Sequence, residues 1–357
     1  MSKLSEEKVA FSELYARTGI QHAVFNTVYQ LYADKLSGKL EKAEKFLTVP
    51  DYMHYRLSGV MANEYTDAST TALINAETRD WDYELIEKYG FPKKIFQKVV
   101  KPGTVLGKFT KEVKNEVGFD AYVVIPATHD TGSAVMAVPA VSDTPLYLSS
   151  GTWSLLGTEL KKPNTSAEAY NFNMTNEGGF ENTIRFLKNI SGMWTIQSIK
   201  KELQGKYSYD DLMYMAIEVG DFGSIVDIND KRFLAPESMI NAVKSYCEDY
   251  GLKVPETIGE VMNVVYRSIA SAYAKTISSL EKITGVTYPV LNIVGGGSKD
   301  GYLNKLAKEY TGKTVMVGPT EGTAVGNLLA QAISSKEIKN LNEGRQVVIN
   351  SFGIKEI

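Results

Sequence analysis

Apolar positions along the chain change rhythm several times, and each change predicts an element. The opening stretch reads as a helix, with Ser5 as cap, Glu6 and Glu7 in the first turn, Leu14 and Tyr15 on the apolar side and Gly19 as stop. From Gln21 to about Gln97 helical signals continue, broken by turns at SGKL, LSGV and YGFPKK. Within that region NEYTDASTTALINAETRDWD is rich in hydroxyls and acids. Cap preferences place a helix start there at Asp67 or Ser69, and a sugar-facing loop is the competing reading. The stretch YVVIPATHDTGSAVMAVPA, Tyr122 to Ala140, climbs as a buried strand, stops on His129 and Asp130, and then hands over to small residues that begin a helix. PLYLSSGTWSLLGTEL reads as two strands around a hairpin tip at Ser149 to Thr152. From Ile258 to Ile283, Val261, Val265, Ile269, Tyr273, Ile277 and Leu280 keep helical spacing up to Gly285. PVLNIVGGGSKDGYLNKLAKEYTG then gives a buried strand, a triple-glycine turn and a helix. TVMVG and a helix from about Gly322 complete an alternation typical of α/β layers.

Length turns these elements into a two-domain expectation, since 357 residues exceed the size at which one core keeps growing. With lysine and arginine scattered among acids and a net charge of −3, no electrostatic footprint for nucleic acid appears. The single cysteine, Cys247, excludes an internal disulfide and any multi-cysteine metal site. No apolar run suits a secretion signal or a membrane span, so a cytoplasmic placement without a membrane partner is expected. Without such a signal, the N-x-S/T triplets at Asn164, Asn173 and Asn189 carry no glycosylation meaning.

The chemistry concentrates at three points. Asp130 has two readings, a helix N-cap or a catalytic carboxylate held at a strand end. Ser149, Ser150, Gly151 and Thr152 form a tip whose backbone N–H groups, with the Thr152 hydroxyl, can approach a phosphate closely; the same residues also suit a plain turn. Three adjacent glycines cost chain entropy unless a ligand comes close to the backbone or positive φ is required. No dinucleotide fingerprint, P-loop, zinc pattern or G-x-S-x-G elbow occurs, and His22, His54 and His129 taken singly are more often structural than catalytic. An acid, a Ser/Gly/Thr hairpin and a glycine turn together suggest phosphoryl transfer.

The ordered motifs YARTGIQ, FNTVYQL, PDYMHYRLSG, EYTDASTTALIN, THDTGSA, YLSSGTWSLLG, NEGG, LKNISGMW and VGGGSKDGYLNKL make the resemblance specific. From near residue 11 to near residue 355 the chain resembles the FGGY carbohydrate kinases. The resemblance implies the actin-like ATPase (ribonuclease H-like) two-domain α/β fold, with residues 1–138 as the remainder of a sugar-side N-terminal domain and 139–357 as a nucleotide-side C-terminal domain. It implies a kinase that uses ATP and Mg2+ to phosphorylate L-rhamnulose at C1; another deoxy-ketose stays open. By the same carry-over Asp130 is the base, His129, Asp130, Thr131 and Asn189 contact the ketose, Thr152, Gln197 and Gly296 contact ATP, and no residue is assigned to the metal. Two family segments, a D-x-G-x-S-S phosphate hairpin and a G-x-D-T-W-G-x-D sugar segment, do not occur in this sequence. The N-terminal domain is therefore expected to be incomplete and Met1 an internal methionine. A complementing N-terminal segment is expected to be needed for turnover, the alternative being a remnant that binds sugar or nucleotide without turnover.

Overall fold

The computed structural model describes residues 5–140, 142 and 144–357; Met1 and its expected status lie outside the described residues. The chain divides into two compact units. One holds residues up to 144, 158–187 and 322–351, and the other holds 145–157, 188–321 and 352–357. The expected boundary at residue 138 describes how the sequence resembles its family, whereas compactness follows contacts, and the chain returns to the first unit twice after leaving it.

The core of the first unit is aromatic and helical. Leu14, Val28, Tyr29, Tyr32, Leu73, Leu85, Ile86 and Tyr89 are buried together, from helices Phe11–Thr18, Thr27–Leu36 and Tyr83–Tyr89 and the loops between them. The first of these helices begins at Phe11 rather than at Ser5. The Ser5 carbonyl instead accepts N–H groups of Lys8 and Val9 in a separate turn, and Val9 is buried. Gly19 stops the helix as expected, in the left-handed conformation that only glycine adopts without strain. Short strand pairs complete the unit: Asn63–Glu64 beside Val99–Val100 in parallel, and Val105–Lys108 beside Tyr122–Val124 antiparallel. Thr175–Gly178 also runs antiparallel to the start of Ile184–Ser191. The strand leading to Asp130 is shorter than expected and only half-buried, because Tyr122 faces outward while Val123 faces in.

Helix Asp130–Met136 follows, and helix Gly322–Ser334 packs across it in the same unit. Small residues allow that approach. A Cβ built on Gly326 would lie 1.8 Å from the Ser133 carbonyl oxygen, so the two backbones touch where a side chain would stand. Arg345, from helix Leu341–Ser351, adds a polar lock, donating to the Val135 carbonyl and pairing with the buried Glu159.

The second unit is a mixed sheet with flanking helices. Strands Leu146–Ser150 and Trp153–Leu160 form the expected hairpin, Ser150 opposite Ser154. Leu146–Ser150 runs parallel to Val290–Val294, which runs parallel to Thr314–Val317, and Lys355–Glu356 adds an antiparallel edge. Helix Ile258–Thr284 opens on a capping box between Thr257 and Glu260 and ends at left-handed Gly285. It buries all six of the residues whose spacing predicted it. Cys247 is buried on helix Met239–Asp249.

Gly326→Ala is expected to destabilise the protein by about 1–3 kcal/mol, because the added methyl meets backbone rather than a movable side chain. Denaturant unfolding checks this; an unchanged midpoint would mean that the two helices separate without cost.

Candidate active site

In the first unit the site is assembled around Thr128, His129, Asp130 and Thr131. His129, not Asp130, occupies the cap position of helix Asp130–Met136, and its side chain makes no capping bond. Asp130 is the first helical residue, so the capping reading does not hold. Its carboxylate is 79% exposed, and its Oδ1 accepts the Thr131 N–H at 2.6 Å and faces the Thr131 hydroxyl at 3.3 Å. The Asp130 carbonyl accepts the Thr323 hydroxyl at 3.2 Å. Gly132 lets the helix start lie against Ala127 and Thr66, each within 3.4 Å of where a Cβ would stand.

What holds this strand end is Glu64. The residue caps helix Tyr65–Ser69, a role that cap preferences assigned to Asp67 or Ser69, which lie inside the helix instead. Its fully buried carboxylate accepts the Thr66 and Asp67 N–H groups and the Thr66 hydroxyl, and also the Thr128 N–H at 3.0 Å and hydroxyl at 2.7 Å. Burial pushes the Glu64 carboxyl up from the ordinary glutamate range, and the Thr66 and Thr128 donors pull against that rise. The His129 N–H then donates to Thr66 Oγ1 at 3.2 Å. Asp51 stands behind, accepting the Asn63 side-chain N–H at 2.7 Å and the Glu64 N–H at 3.0 Å.

A second buried group meets the His129 ring. Arg185 Nη2 lies 2.8 Å from His129 Nδ1, Arg185 Nε donates to the Gly178 carbonyl at 2.7 Å, and Arg185 Nη1 pairs with Glu177 at 3.2 Å. Burial alone would raise the Glu177 carboxyl, but the Arg185 charge foremost holds it below the ordinary glutamate range.

The second unit supplies a pocket of about 780 Å³. Thr152 at the hairpin tip, Gln197 on helix Met193–Glu202 and Gly296 in the glycine turn all line it, so three residues far apart in sequence face one space. Thr152 Oγ1 lies 3.5 Å from Gln197 Oε1. Lys299, Lys305, Asp210 and Asp300 bring charge to the same wall. The three glycines are not equivalent. A Cβ on Gly295 would lie 2.8 Å from the Ser150 carbonyl oxygen, and one on Gly297 would lie 2.1 Å from Ser150 Oγ, whereas Gly296 has nothing within 4 Å. The outer two are constrained by the hairpin beneath them; Gly296 and Gly297 both line the pocket, and of these two only Gly296 has room for a side chain. Asn189, half-buried on strand Ile184–Ser191, belongs to this second unit, whereas His129, Asp130 and Thr131 belong to the first.

Glu64, Glu177 and Arg185 are the residues that spacing rules did not single out. Their signal was present: Arg185 interrupts the apolar run IRFL, and Glu177 sits among small residues in NEGG, a placement that charged side chains take only when paired. Among the described residues, no group of three or more histidine, cysteine, aspartate or glutamate side chains could hold a metal ion.

Comparison with known proteins adds lineage to this geometry. The model of the FGGY family of carbohydrate kinases, N-terminal domain, matches residues 1–137, and that of the C-terminal domain matches residues 146–335. The rhamnulokinase of Halalkalibacterium halodurans is 45% identical over 98% of this chain and 75% of its own. The rhamnulokinase of Bacillus subtilis is 44% identical over 98% of this chain and 72% of its own. Among solved structures, ligand-bound xylulose kinase from Lactobacillus acidophilus superposes with a TM-score of 0.76 at 16% identity, covering 99% of this chain and 71% of that one, a likeness of fold.

Two outcomes follow from the geometry. Gly297→Ala is expected to lose about 1–3 kcal/mol of stability while Gly296→Ala stays near the parent, and thermal unfolding of the pair checks it. The Glu177 carboxyl is lower folded than unfolded, so its contribution is present above the ordinary glutamate value and lost as pH falls through the lowered one. Arg185→Met removes the charge that lowers it and is expected to move the acid-unfolding midpoint up by about one pH unit. Adding Glu177→Gln should reverse part of that shift, as followed by circular dichroism; no recovery would assign the shift to lost packing.

Proposed function

The chain belongs to the FGGY family of carbohydrate kinases, and we infer that it transfers the γ-phosphoryl group of ATP to L-rhamnulose, giving L-rhamnulose 1-phosphate and ADP. The observation that carries the choice of sugar is the 45% identity to a rhamnulokinase along almost the whole chain.

Within that reading Asp130 is the general base. Its carboxylate takes the proton of the ketose C1 hydroxyl as that oxygen bonds to the γ-phosphorus, and the bond from the γ-phosphorus to the β,γ-bridging oxygen breaks to release ADP. An exposed carboxylate steadied by the Thr131 N–H suits the task, since one oxygen is fixed and the group remains open to substrate. His129, Thr131 and Asn189 are assigned to the ketose. Thr152, Gln197 and Gly296 are assigned to ATP, on the support of their common pocket and of the bare surface at Gly296. The domain division at residues 138 and 139 is retained as the family division.

Magnesium is proposed to arrive with the nucleotide. The chain offers no cage of three acidic or imidazole ligands among the described residues. A hard cation of this kind keeps several waters and is held largely by phosphate oxygens, so no protein step is assigned to it. The reaction is placed in the cytoplasm as part of the proposal; among the described residues no helix is long and apolar enough to cross a membrane.

The test is a coupled ADP-release assay with L-rhamnulose, and with D-xylulose as the comparison ketose. With a complementing N-terminal segment of the D-x-G-x-S-S type supplied in trans, turnover that favours D-xylulose, or none that depends on ketose, would overturn the substrate assignment; ketose-dependent turnover without that segment would overturn only the expectation that it is needed. Asp130→Asn is expected to lower turnover by roughly two to four orders of magnitude with little change in KM for ATP, the range of a positioned general base. Turnover within threefold of the parent would remove Asp130 from the role.

A further inference from the structure

Arg185 has no part in the chemistry so far, yet its position is costly. It is fully buried beside Ile184, Phe186 and Leu187, where an unpaired guanidinium would not be tolerated. Two of its contacts are those of any buried arginine, the Gly178 carbonyl and the Glu177 carboxylate. The third goes to an imidazole, at 2.8 Å from His129 Nδ1.

That contact fixes a proton. A guanidinium offers only donors and does not ionise in proteins, so the nitrogen facing it must be an acceptor. Glu177 Oε2 lies 3.3 Å from the same Nδ1, which would favour a proton there. The shorter contact, and the inability of arginine to change roles, decide between them. His129 then carries its proton on Nε2, the nitrogen 3.6 Å from Asp130 Oδ1. That distance is outside hydrogen-bond range, so the Nε2–H remains free for an incoming oxygen. The His129 backbone is held independently through Thr66, which leaves the ring as the part that Arg185 sets.

We propose that Arg185, braced by Glu177, is a positioning residue that locks His129 as the neutral tautomer with its proton on Nε2, presenting one N–H donor beside Asp130 to an acceptor oxygen of the ketose. The tautomer stands on geometry alone; its use in ketose recognition rests on the function proposed above. A neutral donor beside the base gives the sugar a fixed hydrogen bond without a cation that would draw on the Asp130 carboxylate.

The experiment begins with the unaltered chain, labelled with 15N-histidine, in two-bond 1H–15N correlation spectra. The chain has three histidines, and His129→Gln identifies the signal of interest by its disappearance. The expected pattern is an unprotonated Nδ1 and a protonated Nε2 at neutral pH; a proton on Nδ1, or on both nitrogens, would overturn the proposal whether or not any variant folds. Arg185→Met should convert the signal to a mixture of tautomers, and an unchanged signal would remove Arg185 as its cause. Calorimetry with L-rhamnulose then tests the use of the donor. Arg185→Lys, which lacks the planar fork, is expected to weaken sugar binding by roughly tenfold and to leave ATP binding unchanged. His129→Gln, which keeps a donor near the Nε2 position, should bind the sugar more tightly than His129→Asn. The predicted tautomer with unaltered sugar affinity in Arg185→Lys would overturn the recognition role and leave the kinase reading standing.

Discussion

The first unit depends on a carboxylate buried among donors. Glu64 joins two segments far apart in sequence, the start of helix Tyr65–Ser69 and the strand end at Thr128, because one side chain satisfies orphan N–H groups of both. A buried acid is tolerated only when its lone pairs are occupied, so the two segments are held to the geometry that occupies them. Ordinary packing could slide by a fraction of an ångström; this arrangement loses bonds if it does. His129 and Asp130 follow directly after Thr128, and their placement is the visible result.

The second unit reaches comparable rigidity by another route. Its pocket is shaped by a steric exclusion, Ser150 standing where side chains on Gly295 and Gly297 would be. The hairpin and the glycine turn therefore cannot be chosen independently. Backbone close to backbone leaves a bare surface for a ligand to approach, and the one glycine without a neighbour marks where that surface is open. A polar network fixes direction well and a steric fit fixes distance well, so the two units hold their candidate residues by different means.

Local grammar made most elements of the second unit legible. Helix Ile258–Thr284 and the strand before the glycine turn have unbroken periodicity, and the hairpin carries its own turn residues. The first unit was harder, since several of its strands are short and the helices beside the candidate site start at Glu64 and His129, residues that cap preferences rank low. Asp130 was visible as a candidate because it ends an apolar climb, but whether it capped the helix depended on one backbone step that spacing does not resolve. Glu177 and Arg185 were hidden for a different reason: each is explained only by the other and by a ring more than forty residues earlier in the sequence. The triple glycine was legible as a place of close approach. Which of its members meets protein and which meets open space was not.

The helix that presses on Ser133 comes from residues 322–334, far along the chain from the segments it completes. On a ribosome adding about 5–20 residues each second, the first unit therefore waits through the synthesis of nearly all of the second before helix Gly322–Ser334, and then helix Leu341–Ser351, arrive to complete it. During that interval the helix bearing Asp130 has no Gly326 to rest against, and its small-residue face is open to water. The contacts that close the unit are among the longest-range in the chain, the kind that slow folding most. The scaffold around Asp130 is begun early in translation and finished late, so the time it spends incomplete is set by the order of segments along the messenger as well as by the stability of the finished fold.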